Sequence, residues 1–347
     1  MIPGPTNSLT DVAGLRIGHH SRVGDGWRTG VTVVLAPPGG AVAGVDVRGG
    51  GPGTHETDVL DPRNLVDRAH AVLLGGGSAF GLAAVAGVMA RLADAGEGFP
   101  VGAPGQVVPI VPAAVLFDLG RGGEFRATPD ASFGAAAVDA ASDGPVPLGS
   151  VGAGTGALTG SGVPGDQASI GALKGGVGSA SAVLPGGVTV AALAVVNAVG
   201  SAVDPVTGRL YGAQFGIGGE FDGLADPSPA ELAAAVTESE TRPFHTTLGV
   251  IATDATLTKA QCQKLAGIAH DGLARAIRPV HTMFDGDTIF ALATGAGAAP
   301  DPLAFHSILT TAADTFSRAV AHGMLAADGT GSYGATFPSA VREWRRP

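Results

Sequence analysis

Residues 238–258 read ESETRPFHTTLGVIATDATLT. A polar segment with a proline at position 243 ends at Phe244 and His245. Two threonines follow, and then the apolar run Leu248–Ala252. One reading is a buried strand that opens on β-branched residues, which a pleated sheet favours. The other is a nucleophilic threonine at the mouth of a sheet. A threonine hydroxyl is a weak nucleophile and needs a base. Its own α-amine, with a pKa near 8, can be that base at neutral pH. That amine exists only after the chain is cut immediately before the threonine, and an exposed segment ending there is what such a cut requires.

The pattern outward from this stretch is α+β. Strand-like runs fall at 31–36, 41–47, 71–76, 107–119, 188–200, 246–254 and 288–294. Helical patterns fall at about 80–94, 132–142, 258–277 and 302–326. Thr258 is placed to cap the third helix, whose Leu265, Ile268, Ala269, Leu273 and Ile277 share one face. Strands come in succession and two long helices come late, so a layered sheet-and-helix fold is expected, not a regular βαβ alternation. Residues 219–245, acidic and holding Pro227, Pro229 and Pro243, form the candidate linker, with room for one short helix.

Composition narrows the function. Of 347 residues 45% are hydrophobic and only 14% charged, so much of the backbone should be buried. The 57 glycines punctuate Val, Ala and Leu runs and form no repeat. A net charge of -10 without a long basic run argues against a nucleic-acid partner. Cys262 is the single cysteine, which excludes an intrachain disulfide and a thiolate metal cluster. The N-terminus lacks a signal-peptide pattern, so a cytoplasmic location is expected. Ala71–Ala90 is uncharged and long enough to span a bilayer. Its triple glycine favours strand, turn and buried helix instead, with no membrane partner.

Several further stretches carry candidate chemistry. HTMFDGDTIFALAT (281–294) places Asp285 and Asp287 across a glycine, either as a plain turn or as two carboxylates aimed at one site. With His281 they could suggest a metal, but the ligands are few and the spacing fits no standard motif, so no metal is expected. VGAGTGA (151–157) satisfies a dinucleotide fingerprint but is not followed by a helix. LLGGGSAFGL, with Gly76, Gly77 and Phe80, could line a polar pocket through backbone N–H groups. ALKGGVGSAS holds Lys174 in an uncharged setting. AVVNAVG sets Asn197 in an apolar run, either satisfied by backbone or aimed at a developing oxyanion.

Taken together these blocks resemble the autoprocessing L-aminopeptidase/D-esterase family, which includes β-aminopeptidases and nylon-oligomer hydrolases. LTDVAGLRIGHH, DVRGGGPGTHETD, LLGGGSAFGL, VVPIVPAAVLFDL, ALKGGVGSAS, VVNAVG, TTLGVIATDA and DGDTIFALAT follow the family's order along nearly the whole chain. The resemblance implies a four-layer αββα sandwich similar to the N-terminal-nucleophile hydrolases. It implies self-cleavage between His245 and Thr246 into an α chain of 1–245 and a β chain of 246–347. It implies Thr246 as nucleophile, Asn197 as oxyanion donor, Asp285 and Asp287 as the acidic pair, and Lys174 near the family's active-site lysine. No cofactor is implied. Small peptides, amides or esters are the implied substrates, and a homo-tetramer of processed pairs the implied assembly. His245 stands where Asn or Gly is typical, and Phe80 where Tyr is frequent, which removes one hydroxyl donor. Thr247 offers a second hydroxyl, but strand alternation would turn it away from Thr246's face. The contrasting expectation is an uncleaved member of the same fold that only binds ligands or assembles.

Overall fold

The computed structural model describes residues 1–160, 170–235 and 244–344. Residues 236–243 of the expected linker and the last residues of the basic tail lie outside them. One sheet is built from Arg16–Gly24 (β1), Trp27–Leu35 (β2), Gly53–His55 (β4), Ala71–Gly75 (β5) and Ala113–Val115 (β6). Their order is β1-β2-β5-β6-β4, antiparallel except for the β5–β6 pair. The second sheet takes Ala41–Val47 (β3), Val177–Val183 (β7), Thr189–Val195 (β8), Leu248–Thr253 (β9) and Thr288–Ala293 (β10). Its order is β7-β8-β9-β10-β3, edged by the two-residue strand Arg68–Ala69. The β9–β10 pair is parallel and the other pairs are antiparallel.

Three apolar layers hold this arrangement. Alternate residues of β9, Leu248, Val250 and Ala252, meet Leu193 and Val195 of β8, Phe290 of β10 and Val34, Val72 and Leu74 of the facing sheet. Ile251, between them, turns the other way, toward Leu265, Leu273 and Phe316. These last belong to Lys259–Ala276 (α4) and Pro302–Ala326 (α5), which cover the second sheet. On the far side Val31, Val33 and Leu73 pack against Val85–Asp94 (α1) and Ala131–Asp139 (α2). The order helix, sheet, sheet, helix is the αββα sandwich. Strand alternation produces it, because every strand between two layers must be apolar on both faces.

The helix ends follow their sequence signals. Thr258 caps α4 through a reciprocal box with Gln261, and Asp301 with Pro302 opens α5. The Ala71–Ala90 run resolves into β5, a glycine turn, a 3₁₀ stretch Ser78–Ala84 and α1. Among the described residues no helix is long and apolar enough to cross a membrane. Part of the expected linker is anchored. Glu220 is buried in an ion pair with Arg318 and a hydrogen bond to His322, both of α5, and Pro229–Ala235 forms a short helix (α3) ending in buried Ala235.

Candidate active site

Thr246 lies two residues before β9, which continues the alternation of Leu248 and Val250 toward the layer between the sheets. It is only 3% exposed. Its N–H donates to Asn197 O at 2.7 Å, and its hydroxyl donates to His245 O at 2.5 Å. The Thr246 hydroxyl therefore touches the carbonyl of the peptide bond immediately before it. His245, also buried, donates its N–H to Phe284 O at 3.0 Å. Strand alternation turns Thr247 away, and its buried hydroxyl finds no hydrogen-bond partner among the described residues.

The loop from Thr282 to Asp287 forms one wall. Asp285 Oδ1 accepts Val199 N–H at 3.0 Å, and Oδ2 accepts the N–H and hydroxyl of Thr282 at 3.2 and 2.7 Å. Asp287 Oδ1 accepts Thr247 N–H at 2.8 Å. Its Oδ2 accepts the His281 N–H at 3.0 Å and lies 2.8 Å from His281 Nδ1. Asp285 thus ties the loop to Val199, beyond the end of β8, and Asp287 ties it to Thr247, just before β9. Between them Gly286 presses against Thr246, where a Cβ would lie 2.6 Å from the Thr246 hydroxyl oxygen. Burial, and then the charge of Asp287, raises the Asp285 pKa above its ordinary value. His281 packs edge-on against His270, whose pKa burial lowers to about 4.

The opposite wall gathers around Asn197, which leaves β8 and is fully buried. Its Oδ1 accepts Arg121 Nη1 at 2.5 Å and Leu158 N–H at 3.1 Å, and its Nδ2 donates to Phe117 O at 3.4 Å. Arg121 Nη1 also donates to Gly156 O at 2.7 Å. Gly77, at φ 84, donates its N–H to Asp118 Oδ1 at 2.6 Å, and Gly76 packs against the same carboxyl group. Burial raises the pKa of Asp118.

The remaining candidates sit further out. Lys174 Nζ donates to Gly154, Ala157 and Gly175 carbonyls at 2.9, 3.2 and 3.1 Å, so its ammonium secures the loop behind Asn197. Burial pushes it down to about 7, with Arg121 and Arg28 adding to the effect. Phe80 is half-exposed under the Arg126 guanidinium, 5.2 Å from its ring centre. Among the described residues no group of three or more His, Cys, Asp or Glu side chains is placed to hold a metal ion.

The sequence alone does not single out Arg121. It lies in a glycine-rich loop, GRGGEF, and meets Asn197 across 76 positions of chain, so no local pattern marks it. His281 was noted only as a metal candidate, and its place on Asp287 depends on a left-handed backbone at φ 57.

Residues 7–336 match the sequence profile of Peptidase family S58. A Mycobacterium tuberculosis protein described as an uncharacterized aminopeptidase is 49% identical over 360 residues, covering 96% of this chain and 99% of that protein. A 6-aminohexanoate-oligomer endohydrolase of Paenarthrobacter ureafaciens is 34% identical over 277 residues, covering 77% of this chain and 69% of that enzyme. Among solved structures, the L-aminopeptidase D-Ala-esterase/amidase from Ochrobactrum anthropi superimposes with a TM-score of 0.70 at 21% identity, covering 99% of this chain and 96% of that one. That structure is described as a variant of the Ntn hydrolase fold, and the four layers described above are the same architecture. The chain belongs to peptidase family S58 and is a hydrolase of the peptidase and amidase type.

Proposed function

We infer that the protein is an autoprocessing amide hydrolase of aminopeptidase type whose nucleophile is Thr246. One observation carries this: the buried Thr246 hydroxyl lies 2.5 Å from the His245 carbonyl oxygen, with its own N–H held on Asn197 O. In the uncut chain the hydroxyl attacks the His245 carbonyl carbon, and water resolves the ester. The products are residues 1–245 and 246–347.

The freed amine then serves as base. A neutral amine has two hydrogens and one lone pair. One hydrogen stays on Asn197 O, and the lone pair takes the hydroxyl proton. The hydroxyl attacks the carbonyl of a small peptide, amide or ester. Asn197 Nδ2 stabilises the tetrahedral oxyanion. Asp285 and Asp287 orient the nucleophile through the Gly286 loop, and water releases the acyl group. Lys174 supports the loop behind Asn197, and Gly76 and Gly77 hold Asp118 beside it. The proposed assembly is a homo-tetramer of processed pairs acting in the cytoplasm, which light scattering and cell fractionation check.

A denaturing gel with N-terminal sequencing tests the central point. Two bands are expected, the smaller beginning at Thr246, together with turnover of an aminoacyl anilide. One intact band after long incubation, without amide turnover, would favour an uncleaved binding protein instead.

A further inference from the structure

Three aromatic rings meet beside the bond between His245 and Thr246. Phe244 and Phe284 are 52% and 51% exposed, and Phe117 is half-buried. Phe244 lies between the other two, 5.6 Å from the Phe117 centroid in a tilted pair and 6.1 Å from that of Phe284 in an edge-on pair. Tilted and edge-to-face contacts are the attractive arrangements of aromatic rings. Among the described residues, the apolar layers of the sandwich include none of the three. The packing of the fold therefore does not account for their meeting here.

The two flanking residues are themselves held by their backbones. Phe117 O accepts from Asn197 Nδ2 at 3.4 Å. Phe284 N–H donates to the Thr282 hydroxyl at 3.2 Å, and Phe284 O accepts the His245 N–H at 3.0 Å. The ring of Phe244, the residue just before His245, is thus seated on two residues that also hold the groups around the nucleophile.

We propose that Phe117, Phe244 and Phe284 form an aromatic clamp that positions the His245 carbonyl for self-cleavage, with Phe244 as its central positioning residue. The inference rests on Thr246 being the nucleophile, as argued above, and adds what presents the bond to it.

Self-cleavage needs the carbonyl carbon of His245, not its oxygen, against the Thr246 hydroxyl. The bond from Thr246 Oγ to that carbon forms, and the bond from that carbon to Thr246 N breaks. The hydroxyl proton passes to the departing nitrogen. Water then adds to the ester, giving the His245 carboxylate and restoring the hydroxyl. The amine side of the bond is fixed, because Thr246 N–H is held on Asn197 O at 2.7 Å. The carbonyl side depends on what precedes it. Phe284 O holds the His245 nitrogen, but a single hydrogen bond lets the chain swing about it. The seated ring of Phe244 supplies a second point, and two points on adjacent residues restrict how the His245 carbonyl can turn. A displacement of about 1 Å at a reacting atom can cost two orders of magnitude in rate. Phe244 touches no reacting atom and acts through His245.

Full-length chain made by cell-free translation and followed on denaturing gels gives the first-order rate of self-cleavage. An aromatic pair contributes a factor of roughly two to ten, and Phe244 makes two such pairs. Phe244→Ala should therefore slow self-cleavage about tenfold. Phe244→Tyr keeps the ring and should stay close to the parent rate, with Phe244→Leu between them. Stability is read separately in uncut protein, by comparing Thr246→Val with the double variant Thr246→Val, Phe244→Ala. Their Tm values should agree, because the ring lies outside the apolar layers, whereas a merely structural ring would lower the second. Self-cleavage of Phe244→Ala at the parent rate would overturn the clamp. So would equal slowing by Tyr and Ala, or a lowered Tm in the double variant. A parent chain that stays intact, or is cut at another bond, would bring down the nucleophile assignment and the clamp with it.

Discussion

Arg121 Nη1 donates to Asn197 Oδ1 at 2.5 Å, and Leu158 N–H donates to the same oxygen. A guanidinium can only donate, so this contact fixes which end of the carboxamide is oxygen. The Nδ2 end is thereby turned toward Phe117 O and the proposed oxyanion position. Asn197→Ala should lower kcat by about 10²–10³, the usual effect of losing one oxyanion donor, and should not abolish activity. Arg121→Ala should lower kcat by roughly ten- to a hundredfold, since a hydrogen bond to a charged group is worth about 1.5–3 kcal/mol. Steady-state kinetics on the two variants checks both, and an Arg121→Ala enzyme as fast as the wild type would separate Arg121 from the reaction.

The two threonines should respond in opposite ways. Thr246 holds its hydroxyl on the His245 carbonyl, whereas the Thr247 hydroxyl is buried without a partner among the described residues. Replacing an unpaired buried hydroxyl by a methyl group removes a desolvation cost without losing a bond. Thr247→Val should therefore leave both bands on the gel and either preserve the Tm or raise it. Thr246→Val should leave one intact band. Self-cleavage surviving in Thr246→Val would assign the nucleophile elsewhere.

These assignments were legible in the sequence to different degrees. The helix expected at 302–326 is Pro302–Ala326, because Asp301, Pro302 and a long apolar stripe all signal it locally. The strand expected at 188–200 stops at Val195, and the five residues after it leave the sheet and carry Asn197. The run 107–119 is not one strand. Pro109 and Pro112 lack N–H groups, and only Val107–Val108 and Ala113–Val115 pair. Two of the longer strands carry no such signal. Arg16–Gly24 is an edge strand, polar and largely exposed, and Val177–Val183 alternates small residues whose weak hydrophobicity gives no clear period. Expectations drawn from local chemistry resembled the structure closely, whereas partnerships such as Arg121 with Asn197 or Glu220 with Arg318 depend on long loops closing and have no local mark.

Gly286 admits a sharp steric test. A Cβ there would lie 2.6 Å from Thr246 Oγ1 and 2.7 Å from Gly51 O. Neither neighbour can retreat easily, since Thr246 N–H is tied to Asn197 and Gly51 N–H donates to Asp285 O at 2.8 Å. Gly286→Ala should therefore displace Thr246 and slow self-cleavage at least tenfold, given that an error of about 1 Å can cost two orders of magnitude. Time-resolved gels of freshly purified protein would show it. Processing at the normal rate would mean that the loop is not the wall that orients Thr246.

His281 holds Asp287 through both its N–H and its ring, and it does so at φ 57. Asn tolerates that left-handed conformation better than Ala and can still donate to the carboxylate. His281→Asn should accordingly keep more anilide hydrolysis than His281→Ala. Because the backbone N–H remains in both, neither variant should fall to the level of Thr246→Val. Parallel assays of the three variants decide this, and equal loss in Asn and Ala would show that the ring itself is required.

Lys174 should make stability depend on pH in a definite direction. Burial, with Arg121 and Arg28, pushes its pKa from 10.5 to about 7 in the folded chain. The charges of Asp118 and Asp328 pull the other way, but more weakly. Between about 7 and 10.5 the unfolded chain holds a proton that the folded chain has released. The unfolded state binds more protons there, so this group's contribution to stability rises with pH across the window. Below the window both states hold the proton and the full cost of burying the charge remains. A Lys174→Met variant lacks this dependence. The Tm difference, wild type minus variant, should therefore shift in favour of the wild type as pH rises from 7 to 10. Calorimetry on both proteins across that range tests it, and a difference that stays flat would show that Lys174 keeps its proton throughout.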